Sequence, residues 1–206
     1  MNLLTLVLFI PACFALNMAP GPNNILLMNN AQSYGFKYAI CAGIGRLVAF
    51  VMMIILAATG LVSILYASET LFLIIKILGA IYLFWIAYQL YCANVETSDI
   101  KRIANHSIYQ LAKQEFLLAI GNPKAILIFT AFLPQFIDPL LNPSHQFYVL
   151  GSVFLGLEFI AISLYACMGV YLSHYLNKPN IRRLFNKSCA VVIGSLGISL
   201  FIERQH

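Results

Sequence analysis

One run of residues limits this fold more than any other feature of the chain. From Leu47 to Leu65 every residue is apolar or is one of the small residues Ala, Gly, Thr and Ser. A helix at a water surface carries a polar stripe with a 3.6-residue period, and this run has none. A helix that crosses a bilayer needs about 20 such residues. Strands of a membrane β-barrel would instead alternate apolar and polar residues in pieces of about ten. Comparable stretches predict six spans, at about 3–32, 38–64, 70–92, 110–137, 147–173 and 185–202. Composition agrees: 61% of the 206 residues are apolar and 9% charged, against about 45–50% and 25% in soluble domains. A water-soluble globule is excluded, and so is a disordered chain. The expected fold class is an all-α integral membrane protein of six transmembrane helices, a single domain over 1–206. The first span follows Met1-Asn2 directly, with no basic segment and no cleavage site, and is read as retained.

The net charge is +5 with a pI near 9.0. The twelve Lys and Arg are dispersed rather than gathered into a stripe, so nucleic acid is not an expected partner. Their places orient the chain instead. Lys37 lies in the first loop, Lys101, Arg102 and Lys113 in the third, and Lys178, Arg182, Arg183 and Lys187 in the fifth. The opposite side carries only Arg204. By the positive-inside rule these loops are cytoplasmic, and both termini face the opposite, outer side. The five cysteines, Cys13, Cys41, Cys92, Cys167 and Cys189, form no CxxC pair. The four histidines lie in loops or at ends, without metal-ligand spacing. No metal and no cofactor is expected.

Two spans are interrupted, the first at Pro20-Gly21-Pro22 and the fourth at Gly121-Asn122-Pro123. Pro22-Asn23-Asn24-Ile25-Leu26 and Pro123-Lys124-Ala125-Ile126-Leu127 share Pro-x-x-Ile-Leu at positions 22 and 123, and each has a glycine just upstream. Each sits in the first span of a three-span half, 1–93 or 107–206. Three is odd, so the second half enters the membrane with the opposite orientation. Paired interruptions of this kind point to two inverted three-helix repeats around a midplane site. Proline cannot donate a backbone hydrogen bond and should break each span, then serve as the first residue of a new half-helix. The exposed N–H groups there suit a carboxylate. The two breaks are expected to face each other and hold the substrate through Pro20, Gly21, Pro22, Asn23, Asn24, Gly121, Asn122, Pro123 and Lys124. A simple kink is the alternative.

Lys76 can snorkel to an interface. Arg46 and Glu158 cannot: they lie about 12 Å and 16 Å from opposite ends of the second and fifth spans. Both therefore reach the centre, where an unpaired charge costs about 2.5–3.5 kcal/mol or more. They are expected to lie close together. One reading is a static pair that fixes packing; the other is a gate, with Glu158 as a proton-exchanging carboxylate. Asn17, Asn23, Asn24, Asn29 and Asn30 crowd the first span and could line a polar path or bond other helices.

Ala19-Pro20-Gly21-Pro22-Asn23-Asn24, Asn122-Pro123-Lys124-Ala125 and Phe132-Leu133-Pro134-Gln135-Phe136 together resemble the LysE/RhtB family of bacterial amino-acid exporters over essentially the whole chain. Asn23-Asn24 is most similar to the branch that exports cysteine and O-acetylserine. The resemblance implies an inner-membrane carrier, not an enzyme. It would expel an amino acid or derivative in exchange for protons, and assembly as a homo-oligomer is compatible with it. A passive small-solute channel or a structural membrane subunit is the competing expectation.

Overall fold

The computed structural model describes residues 3–67 and 107–172 except 139. It also describes single positions at 70, 74, 77, 81, 84, 85, 88, 91 and 92, and at 181, 183, 184, 187, 188 and 191. Most of the third and sixth expected spans therefore lies outside the described residues, as do Lys76, Lys101, Arg102, Lys178, Arg182, Arg204 and Cys189.

The described residues are helical and contain no strand. The helices are α1 (Leu3–Met18), α2 (Pro22–Tyr34), α3 (Phe36–Ala67), α4 (Ile108–Ile120), α5 (Pro123–Leu127) and α6 (Pro143–Cys167). A π turn (Ile128–Phe132) and a 3-10 turn (Leu133–Phe136) continue α5, and a second π turn (Met168–Leu172) continues α6.

Local chemistry sets most of the boundaries. Ser107 and Gln110 form a reciprocal capping box that starts α4. Asn122 and Asn142 cap α5 and α6, each followed by proline at the first helical position. Gly35, at φ 91°, takes the left-handed conformation that separates α2 from α3. Pro11 lies inside α1 without ending it. The chain breaks where Pro20 and Pro22 fall together, because each proline removes a donor and restricts the residue before it. Across that break α1 and α2 meet at 61°, and α4 meets the segment 123–136 at 55°.

Residues 36–60 and 143–171 are each long and apolar enough to cross a membrane alone, and the two bent pairs are so together. Val48, Val51, Met52, Ile55 and Leu56 of α3 and Phe159, Ile160 and Leu164 of α6 are exposed. Apolar faces this continuous fit lipid, not water.

α3 and α6 cross antiparallel at two matched points. A Cβ on Gly43 would lie 2.8 Å from Ile162 Cγ2, and one on Gly151 would lie 2.8 Å from Ile54 Cγ2. Residues 43 and 54 become 151 and 162 by the same shift of 108, so each contact is the counterpart of the other. α4 lies so close to α3 that a Cβ on Gly45 would overlap the Ala112 carbonyl. Phe9, Phe132 and Phe136 pack together and hold α1 to the turns after α5. Phe50, Phe129 and Phe154 form a second aromatic group between α3, α6 and the π turn.

Candidate functional site

Arg46 is 1% exposed and sits one turn before Phe50 on α3. A guanidinium has five N–H donors in a plane, and five contacts surround this one. Nε donates to Glu115 Oε2 at 3.0 Å. Nη1 donates to Asn24 Oδ1 at 2.8 Å and to Glu158 Oε1 at 2.9 Å. Nη2 donates to the Asn23 carbonyl at 2.7 Å and pairs with Glu115 Oε2 at 2.9 Å. The structure thus brings Arg46 and Glu158 together, and adds a second carboxylate. Glu115 is fully buried.

Glu115 corrects the sequence reading, which set Glu158 alone against Arg46 although Glu115 falls within the fourth expected span. The signal was present. Ser107 and Gln110 fix the start of α4, and Glu115 lies eight residues beyond Ser107, more than two turns into the helix.

The break in the first span leaves the last carbonyls of α1 without helical partners, and side chains from three directions satisfy them. Asn24 Nδ2 donates to the carbonyls of Asn17 and Ala19, at 2.8 and 3.1 Å. The Tyr165 hydroxyl donates to Met18 O at 2.8 Å. Lys124 Nζ donates to Ala19 O at 2.8 Å, placing a cation at the negative end of α1. The two breaks also touch directly, through Asn122 Nδ2 and Asn23 Oδ1 at 2.9 Å.

Between the breaks lies a cavity of about 30 Å³. Its polar wall is Asn17, Gly21, Asn23, Asn24, Arg46, Asn122, Lys124 and Glu158; its apolar wall includes Leu16, Phe50, Ile128 and Phe154. A ligand site for a small organic molecule runs to about 300 Å³ or more, so this volume suits about one water.

Of the residues expected to hold substrate, Gly21, Asn23, Asn24, Asn122 and Lys124 line the cavity, and so do Arg46 and Glu158. Pro20, Pro22, Gly121 and Pro123 are not among its lining residues. The rings of Pro22 and Pro123 are exposed, since a residue with no donor has nothing to bond in a polar site.

The two new helix starts also differ. Asn122 Oδ1 accepts from the Lys124 N–H and closes the start of α5. Gly21 has no side chain, so no side chain caps α2. Among the described residues no group of three His, Cys, Asp or Glu could hold a metal ion.

The sequence model of the LysE type translocator family matches residues 14–204. A membrane protein of Vibrio cholerae serotype O1, itself uncharacterized, is 30% identical over 185 residues, covering 90% of this chain and 87% of its own. A leucine efflux protein of Enterobacter sp. strain 638 is 25% identical, over 86% of each chain. One from Salmonella choleraesuis is 27% identical, over 77% of this chain and 76% of its own. No solved structure matches the chain significantly.

Proposed function

The chain belongs to the LysE type translocator family, and from that premise we propose that it is a secondary-active exporter of amino acids in the bacterial inner membrane. The observation that carries the reading is the polar cavity between two helix breaks, with charges of both signs on its wall. A zwitterion needs both signs. Its carboxylate goes to the uncapped start of α2 and its ammonium to Glu158.

The full architecture we propose has six spans in two inverted halves, 1–93 and 107–206, with both termini periplasmic. The matched Gly43–Ile162 and Gly151–Ile54 contacts support the inversion, because two halves related by a two-fold axis must meet in such reciprocal pairs. In that orientation Arg46 with its two carboxylates closes the cytoplasmic side of the cavity. Phe50, Phe129 and Phe154 close the periplasmic side. Opening either layer in turn gives alternating access.

Arg46 is held by four hydrogen bonds and paired with two carboxylates, so an arriving carboxylate competes with partners already in place. Glu158 takes either the substrate ammonium or a proton, and that competition couples export to proton entry. Glu158→Gln should abolish gradient-driven export while leaving the protein inserted; an active variant would remove the coupling role.

The leucine efflux relatives and the apolar wall of Leu16, Phe50, Ile128 and Phe154 favour an aliphatic amino acid. Cysteine and O-acetylserine are the second candidates, from the Asn23-Asn24 resemblance. Counterflow of a panel of labelled amino acids into proteoliposomes tests carrier and substrate together. Accumulation of at least one amino acid is expected; no flux for any of them would reject the proposal. A passive channel would give flux that survives an uncoupler in energised vesicles.

A further inference from the structure

We infer that Asn17 is a substrate-recognition residue, whose side-chain amide completes the zwitterion site with the N–H groups that open α2. Asn17 lies on the last turn of α1, is 3% exposed and lines the cavity. Neither its Oδ1 nor its Nδ2 has a hydrogen-bond partner among the described residues. Burying a polar amide unpaired opposes folding, and most such groups in proteins are paired.

The neighbouring polar groups are engaged. Asn23, Asn24 and Asn122 each donate or accept within the two breaks, and the guanidinium of Arg46 is held by Glu115, Glu158, Asn23 and Asn24. Asn30 and Glu115 Oε1 also lack partners, but neither lines the cavity. Among the described residues, Asn17 alone is both unpartnered and on the cavity wall.

Its position is fixed rather than loose, because Asn24 Nδ2 holds the Asn17 carbonyl at 2.8 Å. An amide offers a donor and an acceptor on one carbon, which matches a carboxylate and an ammonium on the adjacent carbon of an α-amino acid. The open start of α2, beside Gly21, supplies further donors to the carboxylate. At α5 the side chain of Asn122 already takes the Lys124 N–H.

This inference rests on the export reading, and the test separates the two. Purified full-length protein is reconstituted, and counterflow is followed for the labelled amino acid that the wild type carries best from a panel including leucine, cysteine and O-acetylserine. Melting is followed in detergent in parallel. Asn17→Leu should raise the half-saturating concentration at least tenfold while Tm holds or rises, since an orphaned amide is lost. A fall in Tm with unchanged half-saturation would mean that Asn17 only packs the helix, and would overturn the inference. Asn17→Asp, nearly the same shape, guards against misfolding of the leucine variant. It repels a carboxylate and keeps an acceptor, so the amine that matches the substrate but lacks its carboxylate should compete at least tenfold better relative to the amino acid. A competition profile equal to that of the wild type would also overturn the inference. No counterflow by the wild type itself would reject export, and this inference with it.

Discussion

Arg46 concentrates the electrostatics of the molecule in one side chain, and its two carboxylates are not equivalent. Glu158 borders the cavity, whereas Glu115 stands behind the guanidinium, away from the cavity wall. Removing one partner from a buried ion pair destabilises by about 3–5 kcal/mol. Glu115→Gln keeps the shape and loses the charge, so it should lower Tm markedly in detergent. A Tm within a degree or two of wild type would show that Glu158 alone balances Arg46. Lys124→Met removes a partly exposed cation from the end of α1. The effect there should be smaller, about 1 kcal/mol or less, read from the same melting curve. The meeting of Arg46 with Glu158 was legible in the sequence, because two depth estimates from opposite ends converged on one plane. Glu115 was not read, since its depth depends on where α4 begins, and the short capping signal at Ser107 was passed over for the apolar run that follows.

The helix breaks matter at the scale of elements, and glycines decide how closely the elements approach. Gly45 and Gly21 should behave in opposite ways. A methyl group at Gly45 overlaps the backbone of Ala112, which cannot step aside, so Gly45→Ala should push α4 from α3 and lower both expression and Tm. At Gly21 a Cβ meets nothing nearer than Lys124 Cδ at 3.7 Å, and the backbone is extended. Gly21→Ser should fold, and its hydroxyl can cap α2, adding a few tenths of a kcal/mol. The same hydroxyl takes up donors that the proposed carboxylate needs, so counterflow should weaken at undiminished Tm. Undiminished counterflow would place the carboxylate elsewhere. The positions of both breaks were legible from Gly and Pro. Their roles were not: the proline rings lie outside the cavity, and Asn24, Lys124 and Tyr165 rather than backbone donors face the severed end of α1. The two π turns left no sequence signal, because a π turn needs no special residue type.

At the scale of the whole molecule, loop charge predicts an orientation that a reporter can check. A fusion at the carboxyl terminus that works only in the cytoplasm should be silent, and a periplasmic reporter at the same point should be active. The reverse pattern would invert the assignment of the two closing layers. The reciprocal glycine contacts between α3 and α6 were not legible in advance. Gly43 and Gly151 look like ordinary small residues until the crossing sets each against an isoleucine of the other helix. Arg46 and Glu158 lie beside one of the two contacts, three and four residues from Gly43 and Ile162, against eight and seven residues from Ile54 and Gly151. A crossing notched at two points resists sliding along its length and still permits tilt. On the proposed rocking of the halves, the charged pair beside its notch would travel less than the helix ends.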